Sequence, residues 1–385
     1  MNNLTPEFAA RLASDIYDIK LSLRQERFKK LYENYFNIEE TKLKGKTGAF
    51  TFLKSTHTMG IATHGINDYT GHSFVALKGT ASLYDGLTDL NAGLKKFHTG
   101  GLVHQGFYYT FESFVKSIDD FVDDLPNDVH TIHCVGHSLG GALATLAADY
   151  LKLKSNKTVK LYTFGSPRVG LDFFANGATK RLEDSNIFRV YHRTDPVAMV
   201  PTWPFIHVPD SGPGDLLLQS GVALNPAQYH KMDNYIASLS GGEEKHNWDL
   251  VRKKRPPTLI QRSIQSWLES DGPLSLTLNT AWVAAEAVMW VLKKVVELAG
   301  IALVVTGATT FTLMDQLAIF LKKAHDFGKK VSHWVTRLLI RLGRMIGIVV
   351  ADGTNITIAL IRTIFIRMHN AVSELVLRAG RHTEH

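Results

Sequence analysis

The chain of 385 residues holds one cysteine, Cys134. A single thiol excludes an intrachain disulfide framework. Its place inside an alternating, β-branched stretch reads as core packing rather than as a thiol nucleophile. The opening residues, Met1-Asn2-Asn3-Leu4-Thr5-Pro6-Glu7, lack a basic segment followed by an apolar run. The expectation is therefore synthesis in the cytoplasm without a Sec signal, any export using another route. Long hydrophobic runs are scarce. Val295–Met314 is a 20-residue run interrupted by Glu297. It falls short of the charge-free length of a spanning helix, and a buried hairpin helix fits it as well. No metal-ligand spacing, nucleotide-binding motif, internal repeat or low-complexity tract is present, so no cofactor and no metal are expected.

What is present is ordinary for a globular chain: 45% apolar and 21% charged residues, in a length that suits two domains. The formal charge of +7 is concentrated at one end. From Leu321 onward there are eleven Lys or Arg against four acids, so the first 320 residues are balanced. The tail's arginines stand among aliphatics without a nucleic-acid-binding pattern, and no nucleic-acid partner is expected.

Residues 129–148 organise the rest. Val129–Val135 reads as a buried strand, and the small and leucine residues from Leu139 onward read as a tightly packed helix. Between them Gly136-His137-Ser138-Leu139-Gly140 is a G-x-S-x-G turn in the strand–turn–helix setting that a nucleophile elbow needs. Side chains at 136 and 140 would clash with strand and helix, which accounts for both glycines. The helix start behind Ser138 offers backbone N–H groups to a developing oxyanion.

Thr5-Pro6-Glu7 is a helix N-cap with proline at the first turn, opening an amphipathic helix to about Tyr35. Strands are expected at 47–53, 59–64, 73–78, 160–164 and 187–192, with helices at about 107–124 and 171–182. This alternation implies an α/β fold with a largely parallel sheet, whose chemistry sits at the carboxyl ends of the strands. Thr80, Ser138, Ser166 and Asp195 all lie just past such ends. Residues 81–99 are apolar and broken by glycines, which suits either a lid or a half-buried connecting helix. The segment 201–226 is loop-rich, with a strand pattern at Phe205–Val208.

A serine nucleophile needs a base, and the base a carboxylate, in the chain order Ser, acid, His. Asp195, at a strand end before Pro196, is the leading acid; Asp210 and Asp215 are alternatives. His230 and His207 follow it. His230, at a helix start after a loop, suits an exposed imidazole, whereas His207 sits in an apolar run and suits a structural hydrogen bond. His133, His137 and His192 are read as structural. The oxyanion donors expected are the backbone N–H groups of Leu139 and Thr80.

The polar, proline-terminated stretch 241–257 divides the chain into 1–255 and a helical, apolar and basic 256–385. Helices are expected at 281–298, 329–348 and 356–368. Arg337, Arg341 and Arg344 share one face of the second, either at a membrane surface or as a solvated face of a docked helix.

Leu77-Lys78-Gly79-Thr80, Val103–Phe107, Gly136–Leu146, Thr163–Gly170, Arg193–Val197 and His230–Tyr235, in this order, resemble the motifs of the class 3, fungal-type lipases of the α/β-hydrolase fold. The resemblance covers about residues 5–240. It implies Ser138 as nucleophile, Asp195 as acid, His230 as base, Thr80 and Leu139 as the oxyanion hole, and 81–92 as the lid position. Lys78 stands where the family usually has arginine, and the signal and disulfides of the secreted fungal enzymes are missing. More loosely, residues 4–10 and the apolar, basic tail resemble bacterial lipases delivered as type VI secretion antibacterial effectors. That resemblance implies a phospholipase A, A1 favoured, acting on bacterial membrane phospholipid, with an immunity protein and a secretion-apparatus partner. It also implies a membrane surface as partner of the C-terminal region and a target-cell periplasm or membrane as destination. The alternatives are a triacylglycerol lipase or carboxylesterase, and a membrane-disrupting or interaction protein acting through the C-terminal helices.

Overall fold

A computed structural model describes residues 3–20, 22–37, 42–47, 55–79, 93–202, 204–219, 228–242, 245, 247–256, 261–300 and 313–380. Its centre is a seven-stranded sheet in the order β1-β2-β3-β6-β7-β8-β9. β1 (Lys42–Thr47), β2 (Ser55–His64) and β3 (His72–Leu77) pair antiparallel. β3, β6 (Thr131–His137), β7 (Thr158–Phe164), β8 (Ile187–His192) and β9 (Asp215–Leu218) pair parallel. β4 (Leu94–Lys96) and β5 (Leu102–His104) form a separate two-stranded sheet. This is the mostly parallel sheet of an α/β-hydrolase core, with helices packed on it.

β3 and β6 are buried along their whole length, as parallel strands covered on both faces must be. Helix α5 (Leu139–Lys154) is buried from Leu139 to Leu151. Its glycines and alanines let it lie directly on β6 and β7. Cys134 is fully buried in this core, where burial pushes its thiol well up.

Thr5 caps α1 (Pro6–Asp15), its Oγ1 accepting from the Phe8 N–H at 3.2 Å. The expected long helix is in fact broken. A 3₁₀ turn, Ile16–Lys20, separates α1 from α2 (Ser22–Tyr32). The break folds α2 back, so that Phe28, Tyr32 and Phe36 share a core with Leu12 and Ile16. A strand runs over Lys42–Thr47, and 48–53, nearly all of the strand expected at 47–53, lie outside the described residues. At Phe205–Val208 only Ile206 makes a bridge, to Gly170, whereas the loop-like stretch after it supplies β9.

α3 (Gln105–Glu112), α4 (Val115–Asp123) and α6 (Asp172–Leu182) complete the core, and α7 (Met232–Leu239) and α8 (Trp248–Lys253) follow the sheet. The C-terminal part is helical: α9 (Gln261–Glu269), α10 (Leu278–Ala299), α11 (Leu313–Phe327), α12 (Lys329–Met345) and α13 (Ile358–Gly380). Their buried faces are continuous with one hydrophobic cluster that reaches through Met199, Val200 and Ile206 to Leu143 and Cys134. α10 ends at Gly300, whose φ of 62° closes it in the left-handed conformation. The apolar run 295–314 is therefore not one helix; its centre, 301–312, lies outside the described residues. Among the described residues no helix is long and apolar enough to cross a membrane.

The arginine face of α12 is turned toward the end of α9, with Arg341 and most of Arg337 buried and Arg344 partly exposed. Arg341 is 3% exposed and donates to the Ser270 and Gly272 carbonyls; Arg337 donates to the Leu268 carbonyl at 3.0 Å. Arg344 reaches Asp271. The three side chains satisfy the carbonyls just past the C-terminus of α9, where a helix leaves acceptors without partners and cations are favoured.

Beneath the sheet a polar chain ties strands to the N-terminus. The Leu4 N–H donates to Tyr162 Oη, which lies 3.3 Å from His133 Nδ1, and His133 Nε2 lies 2.9 Å from His72 Nδ1. Burial, reinforced by His72 and Lys160, holds His133 well below the ordinary histidine range. Burial also lowers His207 and His192, and brings His137 down to about 3. These rings stay neutral in the folded chain while their unfolded counterparts bind protons near pH 6.5, so stability is retained above that pH and lost as pH falls below it. Urea denaturation at pH 7.5 and pH 5 should show a lower midpoint at pH 5, with a slope of about 1.4 kcal/mol per pH unit for each extra proton bound on unfolding. Equal midpoints would contradict the buried neutral histidines.

Candidate functional site

Ser138 stands between β6 and α5 with φ 57° and ψ −132°, a conformation that non-glycine residues rarely adopt. The reason is local. The Ser138 N–H donates to the Phe164 carbonyl of β7 at 2.8 Å, and its carbonyl accepts from Gly141 N–H at 2.9 Å. The chain turns from strand into helix within one residue. A Cβ at Gly136 would lie 2.3 Å from the Gly140 carbonyl oxygen, and one at Gly140 would lie 2.3 Å from the Leu77 carbonyl oxygen of β3. Both glycines of the motif are thus fixed by backbone contact.

The structure brings Ser138, His230 and Asp195 together from three separated segments. Ser138 Oγ is 2.8 Å from His230 Nε2, and His230 Nδ1 is 3.0 Å from each oxygen of Asp195. With Nδ1 protonated toward the carboxylate, Nε2 is the acceptor for the serine hydroxyl. Asp195 follows β8 and is fully buried. Burial alone would push its carboxyl up; the facing His230, and hydrogen bonds from His230 and Tyr235, outweigh burial and hold it below the usual carboxylate range. The Val197 N–H also donates to Asp195 Oδ1 at 2.9 Å. Such a set can take a proton from the serine and steady the imidazolium that results.

His230 is 0% exposed, not the exposed ring expected from its place after a loop. It ends a 3₁₀ turn, Gln228–His230, and α13 packs against this turn and against Val197–Met199, which follow Asp195. The C-terminal region thus packs on the turn that carries the ring. Ser138 is itself only 2% exposed, so the described arrangement is closed. Leu139 is the first residue of α5, where its N–H has no intrahelical acceptor. Thr80 and the segment 81–92 lie outside the described residues. Among the alternatives, Asp215 pairs with Arg189 and Arg255, Asp210 lies 3.8 Å from Lys293, and His207 Nε2 donates to the Ala198 carbonyl at 2.9 Å. No group of acidic, histidine and cysteine residues able to hold a metal occurs among the described residues.

Two residues support the three: Tyr235, given no role from sequence, and His137, read there as structural. Tyr235 Oη donates to Asp195 Oδ2 at 2.6 Å and accepts from the His192 N–H. His137 Nε2 donates to the His230 carbonyl at 2.8 Å, tying the elbow to the turn that carries the ring. The spacing of Tyr235 from His230, just over one helical turn, is the one signal that could have marked it.

Residues 74–205 match the model of the family Lipase (class 3). The chain is 39% identical over 131 residues to secreted mono- and diacylglycerol lipase 1 of Fusarium solani, covering 33% of this chain and 38% of that protein. It is 33% identical over 184 residues to secreted mono- and diacylglycerol lipase A of Penicillium camembertii, covering 45% and 57%. It is 31% identical over 167 residues to phospholipase A1-II 1 of Oryza sativa subsp. japonica, covering 41% and 40%. The chain thus spans less than two thirds of these relatives' length. The solved mono- and diacylglycerol lipase of Aspergillus oryzae aligns over 53% of this chain and 76% of its own, at 22% identity and a TM-score of 0.42.

Relatives named as secreted conflict with the expected synthesis without a Sec signal and passage through a type VI system, and that expectation is corrected. It came from the lack of a basic segment and apolar run in the first residues, and from a loose resemblance of architecture to type VI effectors. Leu4, Ala9, Ala10 and Leu12 are fully buried in the fold.

Replacing Ser138 with glycine should relieve its strained backbone. The variant should melt higher by the equivalent of about 1–3 kcal/mol while losing ester hydrolysis by ~10⁴-fold or more. A Ser138→Gly protein that melts lower, or keeps its activity, would contradict the strained-serine geometry. Residues 74–205 are thus similar to the class 3 lipases, and the relatives that share this segment are named as lipases and a phospholipase.

Proposed function

We propose that the protein is a serine lipid-ester hydrolase of phospholipase A type, cleaving at the A1 position, with Ser138 as nucleophile, His230 as base and Asp195 as acid. The observation that carries this is the unbroken hydrogen-bond line from Ser138 Oγ through His230 to Asp195. As Oγ attacks the ester carbonyl, its proton passes to His230 Nε2. The tetrahedral oxyanion accepts from the Leu139 and Thr80 N–H groups. His230 then gives the proton to the departing alcohol, leaving an acyl group on Ser138. Water, deprotonated by His230, attacks the acyl carbon and releases the fatty acid.

In this reading residues 1–255 carry catalysis and 256–385 meet the lipid surface. The exposed Phe327 between Lys323 and Lys329-Lys330, at the corner of α11 and α12, supports that contact, since an apolar side chain flanked by cations suits an anionic interface. A phospholipid substrate is supported by the relative named phospholipase A1. The names of the Fusarium and Penicillium relatives favour a second reading, hydrolysis of mono- and diacylglycerols by the same residues. The antibacterial-effector role and its immunity partner rest on resemblance of architecture alone and form no part of the proposal.

The test is product analysis. Wild-type and Ser138→Ala protein are incubated with mixed phosphatidylethanolamine/phosphatidylglycerol liposomes and with diacylglycerol emulsion. The proposal expects serine-dependent release of fatty acid and 2-acyl lysophospholipid. Cleavage of diacylglycerol alone would replace it with the second reading. Vesicle damage that survives Ser138→Ala would move the activity to the C-terminal helices.

A further inference from the structure

A cavity of about 350 Å³ lies between the core and α10, against the loop that carries Asp195. Neither Ser138 nor His230 lines it, so it is not the space in which the ester reacts. Its walls are rich in cations. Arg189 and Arg255 share the single carboxylate of Asp215. The hydrogen bonds of Arg168 go to the main-chain carbonyls of Met199 and Pro201, which supply no negative charge. Lys293 stands at the mouth beside Asp210. Arg168 feels the carboxyls of Glu286 and Asp210; burial pushes Glu286 up, with Arg168 the main force in the other direction, and Asp195 also lines the wall.

Among the described residues, two donors in this cavity have no acceptor: Arg189 Nη1 and Arg255 Nε are buried without a hydrogen-bond partner, and Arg189 as a whole is 4% exposed. Buried guanidinium N–H groups without acceptors are costly. That cost is met by a compact oxyanion with several acceptor oxygens. Planar guanidinium forks match phosphate oxygens in pairs.

We propose that this cavity binds a phosphate group through Arg189, Arg255 and Arg168. It goes beyond the hydrolase reading and does not depend on turnover. The group has two sources, a phospholipid headgroup or free phosphate, and the shared chemistry is the phosphate oxyanion. Its seat behind Asp195 would let the ligand stiffen the loop that holds the acid.

The test uses full-length Ser138→Ala protein, so that binding is read without hydrolysis. Inorganic phosphate is titrated by calorimetry at constant ionic strength, with chloride as reference. Saturable one-to-one binding is expected. Arg255→Gln, which leaves the Arg189–Asp215 pair in place, should weaken it about tenfold or more. Glu286→Gln, which removes a competing carboxyl, should tighten it, an effect that a damaged fold would not produce. Absence of saturable binding, or equal affinity in all three proteins, would overturn the proposal. Phosphatidylglycerol vesicles separate the sources. Vesicle binding that phosphate displaces and Arg255→Gln weakens assigns the site to a headgroup; phosphate binding that leaves vesicle binding unchanged assigns it to free phosphate.

Discussion

Three backbones meet at the elbow with no room for a Cβ. The carbonyl oxygens of Leu77 and Gly140 would each lie 2.3 Å from side chains placed at Gly140 and Gly136. That contact holds β3, β6 and the first turn of α5 in register. It forces Ser138 into a positive-φ turn, which points its hydroxyl out of the sheet's carboxyl edge at the start of a helix. The small residues of α5 and the full burial of β3 and β6 follow from the same closeness. Strain at one residue is tolerated because the surrounding core over-determines it.

From that fixed point the rest of the constellation is assembled by loops. Asp195 comes from the end of β8 and His230 from a turn 35 residues later. His137 joins the elbow to the His230 turn, and Tyr235 joins α7 to Asp195. The C-terminal helices continue the same enclosure, α13 packing on both loops. Leu139, Val197 and Met199, beside the site, therefore share one hydrophobic cluster with the C-terminal helices.

Residue types at fixed spacing made much of this legible in sequence. The elbow, the parallel strands and the cap at Thr5 all follow from local rules: glycine where a Cβ cannot fit, β-branched runs in strands, proline at a first helical turn. What was not legible depended on distant partners. The turn that carries His230 is packed by α13, more than a hundred residues away, and no local pattern records it. The arginines of α12 looked like a solvent or membrane face because their acceptors are main-chain carbonyls at the end of α9, invisible to any reading of side-chain polarity. β9 was read as loop because its pairing with β8, and not its own alternation, makes it a strand.

The central claim is that Ser138 is a nucleophile activated by His230. Labelling with a fluorophosphonate, followed by peptide mass spectrometry, tests it most directly. The account predicts one adduct per chain, on Ser138, formed at least ~10²-fold more slowly when His230 is replaced by alanine. Labelling at another residue, or equal labelling without His230, would contradict it.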